Sequence, residues 1–307
     1  MKEQFFLPSN DGITNIHVIL WTPEDGNVKA VLQLVHGMCE YIDRYDAFAS
    51  FLTKSGFAVI GSDHLGHGKS VTDEGKLGYF AHRDGYIKVT DDMAMVTEEG
   101  KKRFPGVKSF ILGHSMGSFM TRRYLTIYGD KVDGAIIMGT GFIPSFLAFT
   151  GRVMANISCV FRGEFYKSLV LTALALGANN KPFSPNRTPV DWLSRNEENV
   201  DKYVADPLCG FLFTSSAYRD FFTVLQKLGN KKALDKIPKA LPILITSGEE
   251  DPVGGKAACP KVLKQLQDAG LTDVSMKLYP EDRHEILNEL DRAEVFEDLK
   301  TWLLEKL

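Results

Sequence analysis

No stretch of this sequence is long and apolar enough to span a bilayer. The longest apolar run, residues 169–178, is about half of the ~20 residues that a membrane helix needs. Cysteine is scarce. Cys39, Cys159, Cys209 and Cys259 are scattered through 307 residues and form no C-x-x-C pair. That pattern excludes a disulfide-stapled small scaffold and a zinc ribbon, and it fits a reducing, cytoplasmic setting. Positive charge is not in excess. The 36 Lys and Arg stand against 39 Asp and Glu, a formal net charge of −3, so no nucleic-acid partner is expected. Repeats, low-complexity tracts and blocks of like charge are also missing. The first eight residues contain Glu3 and too short an apolar run for a secretory leader, so none is expected.

What the sequence does contain is an alternation of two patterns. Residues 28–35, 57–61, 110–112, 132–138 and 242–246 are short, largely apolar runs, which predicts strands covered on both faces, and 273–278 is also expected to be a strand. Between them, apolar spacing predicts helices over 45–54, 85–103, 116–128, 256–268 and 292–306. Strands alternating with helices imply a mostly parallel sheet with helices on both faces. Residues 13–22 follow the turn signal Asn10-Asp11-Gly12 and predict a half-buried strand that adds an antiparallel edge. From 139 to 241 no clear strand is visible. Residues 142–177 are rich in Phe, Leu, Ala and Met, with Glu164 the one acid against Arg152, Arg162 and Lys167. An insertion of this length in a compact domain predicts a helical cap at 141–229 over an α/β core at 1–140 and 230–307.

The chemistry centres on Gly113-His114-Ser115-Met116-Gly117. A G-x-S-x-G motif alone has little weight. Here it follows an apolar strand and opens a helix, the placement that pushes a serine hydroxyl out of a sharp turn. A serine hydroxyl is a weak nucleophile and needs a base. Of the seven histidines only His284 follows Ser115, as the order nucleophile, acid, histidine requires. The orienting acid is expected after the strand at 242–246, where Glu249, Glu250 and Asp251 stand in a row. Asp251, held between a Gly turn and Pro252, is preferred and Glu250 comes second. A tetrahedral intermediate needs fixed donors. The backbone N–H of Met116 is one candidate, and that of Met38, after His36-Gly37, is the other. His64 and His67 stand three apart beside Asp63, but nothing completes a metal site, and their glycines suit a tight turn.

Taken together, His36-Gly37-Met38-Cys39-Glu40, Arg44-Tyr45, the run from Asp63 to Ser70, the serine motif, the run from Gly248 to Val253 and that from Arg283 to Glu289 give a specific likeness. The chain resembles the monoacylglycerol lipase and lysophospholipase group of α/β-hydrolases in its bacterial form. The resemblance implies an eight-stranded, mostly parallel sheet with a helical cap inserted after the sixth strand. It also implies Asp251 rather than Glu250, oxyanion donors at Met38 and Met116, and His36, Gly37, Gly113, His114 and Gly117 in support. No metal or organic cofactor is expected. Ser118 departs from the family, where many members have a second glycine, and Met38 is bulkier than usual. The implied activity is serine-dependent cleavage of esters with a single acyl chain, a small-molecule substrate, with transient membrane-surface contact through the apolar cap. An amidase or aminopeptidase of the same fold, and a silent hydrolase fold serving as a binding module, are the competing readings.

Overall fold

The computed structural model describes residues 1–307, the side chain of Glu74 excepted. The core strands are β1 (Lys2–Pro8), β2 (Asn15–Trp21), β3 (Ala30–Val35), β4 (Phe57–Ser62), β5 (Lys108–His114), β6 (Gly134–Met138), β7 (Ile243–Gly248) and β8 (Val274–Tyr279). The helices of the first part are α1 (Asp46–Thr53), α2 (Gly85–Arg103) and α3 (Met116–Tyr128). Between β6 and β7 come α4 (Ser145–Arg162), α5 (Leu169–Leu176), α6 (Glu197–Ala205), α7 (Ser215–Leu228) and α8 (Lys231–Leu234); α9 (Gly255–Asp268) and α10 (Arg292–Glu305) follow. One sheet runs in the order β1-β2-β4-β3-β5-β6-β7-β8. β1 and β2 pair antiparallel, β2 also pairs antiparallel with β4, and the remaining pairs are parallel. This is the expected α/β-hydrolase sheet with its antiparallel edge.

Side chains alternate across the parallel strands, and the sequence uses both faces. Leu32, Phe110, Leu112 and Ile136 share a core with Phe48 of α1 and with Leu299 and Trp302 of α10. Their neighbours Val31, Ile111 and Ile137 share the opposite core with Met93 of α2, Tyr124 of α3 and Val262 of α9. Gln33 is the polar exception on β3. Its amide donates to the Met93 carbonyl at 2.9 Å and its oxygen accepts the Thr97 hydroxyl at 2.5 Å, so its burial leaves neither group unpaired.

Strand register aligns the carboxyl ends along one rim. Val35 lies opposite Gly113, His114 opposite Met138, and Gly248 opposite Tyr279. Loops leaving these ends carry Gly37, Ser115, Asp251 and His284. Ligands in open parallel sheets bind at such a rim. Two elements differ from the sequence reading. β1, which faces solvent along most of its length, lacks the apolar run that would announce it. α7, within the expected cap range, buries Tyr218, Phe222 and Val224 in the core on the α2 and α3 face.

Candidate active site

The chain must turn from β5 into α3 within one residue, and Ser115 takes that turn at φ 53 and ψ −122. For a residue with a side chain this left-handed φ is strained, a feature that concentrates at functional sites. Its neighbours explain how the turn is tolerated. A Cβ on Gly117 would lie 2.2 Å from the Val35 carbonyl oxygen, and one on Gly113 would lie 2.4 Å from the Gly117 oxygen. No side chain fits at either place. The Ser115 N–H donates to the Met138 carbonyl at 3.0 Å, tying the elbow to β6. Ser118, where a glycine is usual, donates its hydroxyl to the Ser115 carbonyl at 2.6 Å and so adds a hydrogen bond to the first helical turn.

The loop after β3 passes directly over this serine. A Cβ on Gly37 would come within 3.1 Å of the Ser115 Cβ. Among the described residues, the N–H groups of Met38 and Met116 have no protein acceptor. Three histidines fasten the loop to the turn after β4. The His64 N–H donates to His36 Nε2 at 2.9 Å, the Cys39 N–H donates to His67 Nε2 at 3.3 Å, and His64 Nε2 donates to the His36 carbonyl at 3.1 Å. Burial pushes all three down, His64 to about 4 and His67 to about 3. Neutral rings suit this job, because a protonated nitrogen could not accept a backbone N–H. His64 and His67 are thus spent on loop geometry. Among the described residues no group of three or more His, Cys, Asp or Glu is arranged to hold a metal ion.

His284 and Asp251 meet at the same rim. His284 Nδ1 donates to Asp251 Oδ1 at 2.9 Å, and both side chains are buried. Asp251 also accepts the Ser247 hydroxyl at 2.7 Å and the Val253 N–H at 2.8 Å. Burial alone would raise this carboxyl. His284, and then the hydrogen bonds from His284, Ser247 and Val253, hold it below the ordinary carboxylate value. Glu250 instead bonds Lys256 at 2.6 Å near the surface. His284 Nε2 is buried and has no partner among the described residues. It and Ser115 line one cavity of about 350 Å³, whose apolar wall includes Leu169, Leu176, Val190, Leu193, Phe211 and Leu212.

A further layer of charge was not anticipated from sequence. Glu40, 3% exposed, accepts the Gly37 N–H at 2.6 Å, the Tyr45 hydroxyl at 2.9 Å and Arg44 at 2.6 Å. Arg44 also forks onto both oxygens of Glu285 at 2.9 and 2.7 Å. Burial would raise Glu40, but Arg44 and then His114 hold it well below the usual range. His114 Nδ1 lies 3.3 Å from Glu40, and its Nε2 donates to the His284 carbonyl at 3.2 Å. Burial would lower His114, and Glu40 overrides it and raises it. The sequence names Glu40, Arg44, His114 and Glu285 only as members of separate motifs, and of their mutual contacts the four-residue spacing of Glu40 and Arg44 is the one local signal. Trp192, which lines the cavity, and Arg195, which bonds the loop before His284, sit in a polar stretch without periodicity.

The chain is similar to known hydrolases along most of its length. Residues 26–291 match the family described as Hydrolase_4, serine aminopeptidase, S33. The monoacylglycerol lipase of Mycolicibacterium smegmatis is 25% identical over 301 residues, covering 96% of each chain. The human monoglyceride lipase is 28% identical over 295 residues, 93% of this chain and 86% of that one. A solved thermostable carboxyl esterase from Bacillus coagulans, in complex with glycerol, superposes with a TM-score of 0.91 at 26% identity, over 99% and 98% of the two chains.

Proposed function

Because the chain belongs to the Hydrolase_4 family and is a serine hydrolase, we propose that it cleaves esters carrying a single acyl chain, a monoacylglycerol or lysophospholipid, through an acyl-enzyme on Ser115. The observation that carries the proposal is the shared cavity. Ser115, His284 with its unpartnered Nε2, and an apolar wall line one space.

In this mechanism His284 Nε2 takes the proton from the Ser115 hydroxyl as its oxygen attacks the ester carbonyl. Asp251 fixes the imidazole so that Nε2 faces the serine, and it stabilises the imidazolium that forms. The N–H groups of Met38 and Met116 receive the negative oxygen of the tetrahedral intermediate. His284 then returns the proton to the departing alcohol. Water, activated by the same nitrogen, releases the acid and restores Ser115. The reaction is complete with these groups and water. The names of the relatives support a glycerol ester as substrate.

The outer surface of the insertion supports delivery from a lipid surface. Phe146, Phe149, Val153, Ile157, Val160 and Phe161 are exposed along α4, the last two at 78% and 80%. They fall on one face, while Ala148, Gly151 and Ala155 pack inward. An apolar helical face of this kind, flanked by Arg152 and Arg162, suits an interface with acyl chains and headgroups. No helix among the described residues is long and apolar enough to cross a membrane.

The test is hydrolysis of p-nitrophenyl esters of rising chain length beside aminoacyl p-nitroanilides, with Ser115→Ala as control. Preference for medium or long acyl esters, abolished in the variant, is the expected result. A sharp preference for acetyl would remove the lipid reading, and faster cleavage of the anilides would favour an amidase.

A further inference from the structure

The loop that carries His284 is braced from outside the core. Residues 191–196, where the insertion returns towards the rim, grip it on both sides of the imidazole. The Arg283 guanidinium donates to the carbonyls of Asp191 and Ser194 at 2.6 and 3.3 Å. The Glu285 N–H donates to the Leu193 carbonyl at 2.7 Å. Between these attachments the Trp192 ring lies 4.8 Å, centroid to centroid, from the His284 ring.

Arg195 anchors the grip. Its Nε and Nη2 donate to Asp282 Oδ1 at 3.1 and 2.7 Å, Nη2 also reaches Asp291 Oδ2 at 2.7 Å, and Nη1 reaches Glu281 at 3.1 Å. Its backbone N–H donates to Glu289 Oε1 at 3.0 Å, and the same oxygen accepts the Arg283 N–H at 3.0 Å. Asp282 and Glu289 are 0% and 1% exposed. The Asp282 carbonyl accepts the Glu250 N–H at 3.0 Å, next to Asp251. The guanidinium therefore joins the insertion to the loop of the base, and the backbone of Asp282 in turn holds the loop of the acid.

Two buried carboxylates share this one cation. Asp282 Oδ2 and Glu289 Oε2 have no hydrogen-bond partner among the described residues, and Glu289 Oε2 lies 3.5 Å from Arg195 Nε. Without Arg195 they would face each other in a poorly solvated space, and buried charge without a partner is strongly unfavourable. Burial already raises both carboxyls, Asp282 to about 7, so relief would come by taking up protons and by moving the loop that carries His284. Its Nε2 has no protein bond to hold it, so its aim at Ser115 depends on the Asp251 bond at Nδ1 and on the backbone beneath it.

We infer that Arg195 is a positioning residue, which acts through Asp282 and the 191–196 segment to keep His284 in reach of the Ser115 hydroxyl. The insertion then sets the orientation of the base as well as forming the wall of the cavity. This inference rests on the proposed role of His284.

The experiment compares the full-length wild type with Arg195→Ala, Arg195→Lys and Ser115→Ala on p-nitrophenyl octanoate, with thermal melting to report folding. A displacement of ~1 Å at a catalytic group lowers turnover by about 10²-fold. Arg195→Ala is therefore expected to lose about 10²-fold in kcat with KM changed little, and millimolar guanidinium is expected to restore part of kcat. Lysine lacks the planar fork, so Arg195→Lys is expected to fall between the two. Wild-type kcat in Arg195→Ala overturns the inference, as does a loss confined to KM or one that guanidinium leaves unchanged. If Arg195→Ala does not fold, Arg195→Lys decides: reduced kcat at unchanged KM supports the inference and wild-type kcat overturns it. The control separates the two readings. An inactive Ser115→Ala beside a fully active Arg195→Ala removes only the positioning role, whereas an active Ser115→Ala removes the proposed mechanism itself.

Discussion

Ser115, His284 and Asp251 act as a unit under the proposed mechanism, and their removal should not add. Ser115→Ala is expected to lower kcat by about 10⁴-fold or more, with a second substitution at His284 adding little. Asp251→Asn keeps the shape but can hold the wrong imidazole tautomer, so about 10³–10⁴-fold of kcat should be lost at similar KM. Progress curves on a soluble ester check both, and multiplicative losses in the double variant would contradict a shared step. Gly117→Ala fails for a different reason. Its methyl would stand 2.2 Å from the Val35 oxygen and 2.5 Å from the His36 oxygen, both backbone atoms that cannot swing away. A loss of stability of about 2 kcal/mol or more is expected from such overpacking, measured by urea unfolding. Near wild-type stability would mean that the elbow is looser than its contacts imply.

The elements differ in how plainly the sequence announces them. Parallel strands buried on both faces leave runs such as those of β3 and β7, and the elbow between β5 and α3 leaves a motif, so the rim that positions Ser115 is legible. His284 and Asp251 are legible through chain order and through the ends of strands. β1 is not, because a solvent-facing edge strand needs no apolar pattern. Arg195 and Trp192 are not, because their roles come from distant partners at 281–291 that local sequence does not encode. Glu40 is named by its motif, but its fourfold task of holding Gly37, Arg44, Tyr45 and His114 appears only in three dimensions. At this scale α4 makes its own prediction. Changing Phe146, Val160 and Phe161 together to Ser should lower turnover of a vesicle-borne monoacyl ester by several-fold more than turnover of a dissolved one, since each buried apolar side chain contributes about 1.5–3 kcal/mol. Equal losses on both substrates would remove the interfacial role.

For the whole molecule, the attachment of the insertion to the core carries a pH signature. Asp220 on α7 is 2% exposed, and its Oδ2 has no partner among the described residues. Burial pushes its carboxyl up to about 7, while Arg219 and the N–H groups of Tyr86 and Gly85 at the start of α2 pull the other way. Unfolded, the group titrates at about 4. Between those values the folded chain keeps a proton that the unfolded chain has released, so this group's contribution to stability declines as pH rises from about 4 to 7. Asp220→Asn should therefore stabilise the protein by about 1–3 kcal/mol at pH 8 and by less at pH 5, read from melting at both pH values. An equal gain at the two would show that the carboxyl titrates normally. The central claim is that one hydroxyl in the molecule is activated at the rim of the sheet. Intact-mass and peptide mapping after treatment with a fluorophosphonate tests it most directly. A single adduct on the peptide containing Ser115, formed far more slowly in His284→Ala, is the predicted result; an adduct elsewhere, or none on the active wild type, would contradict it.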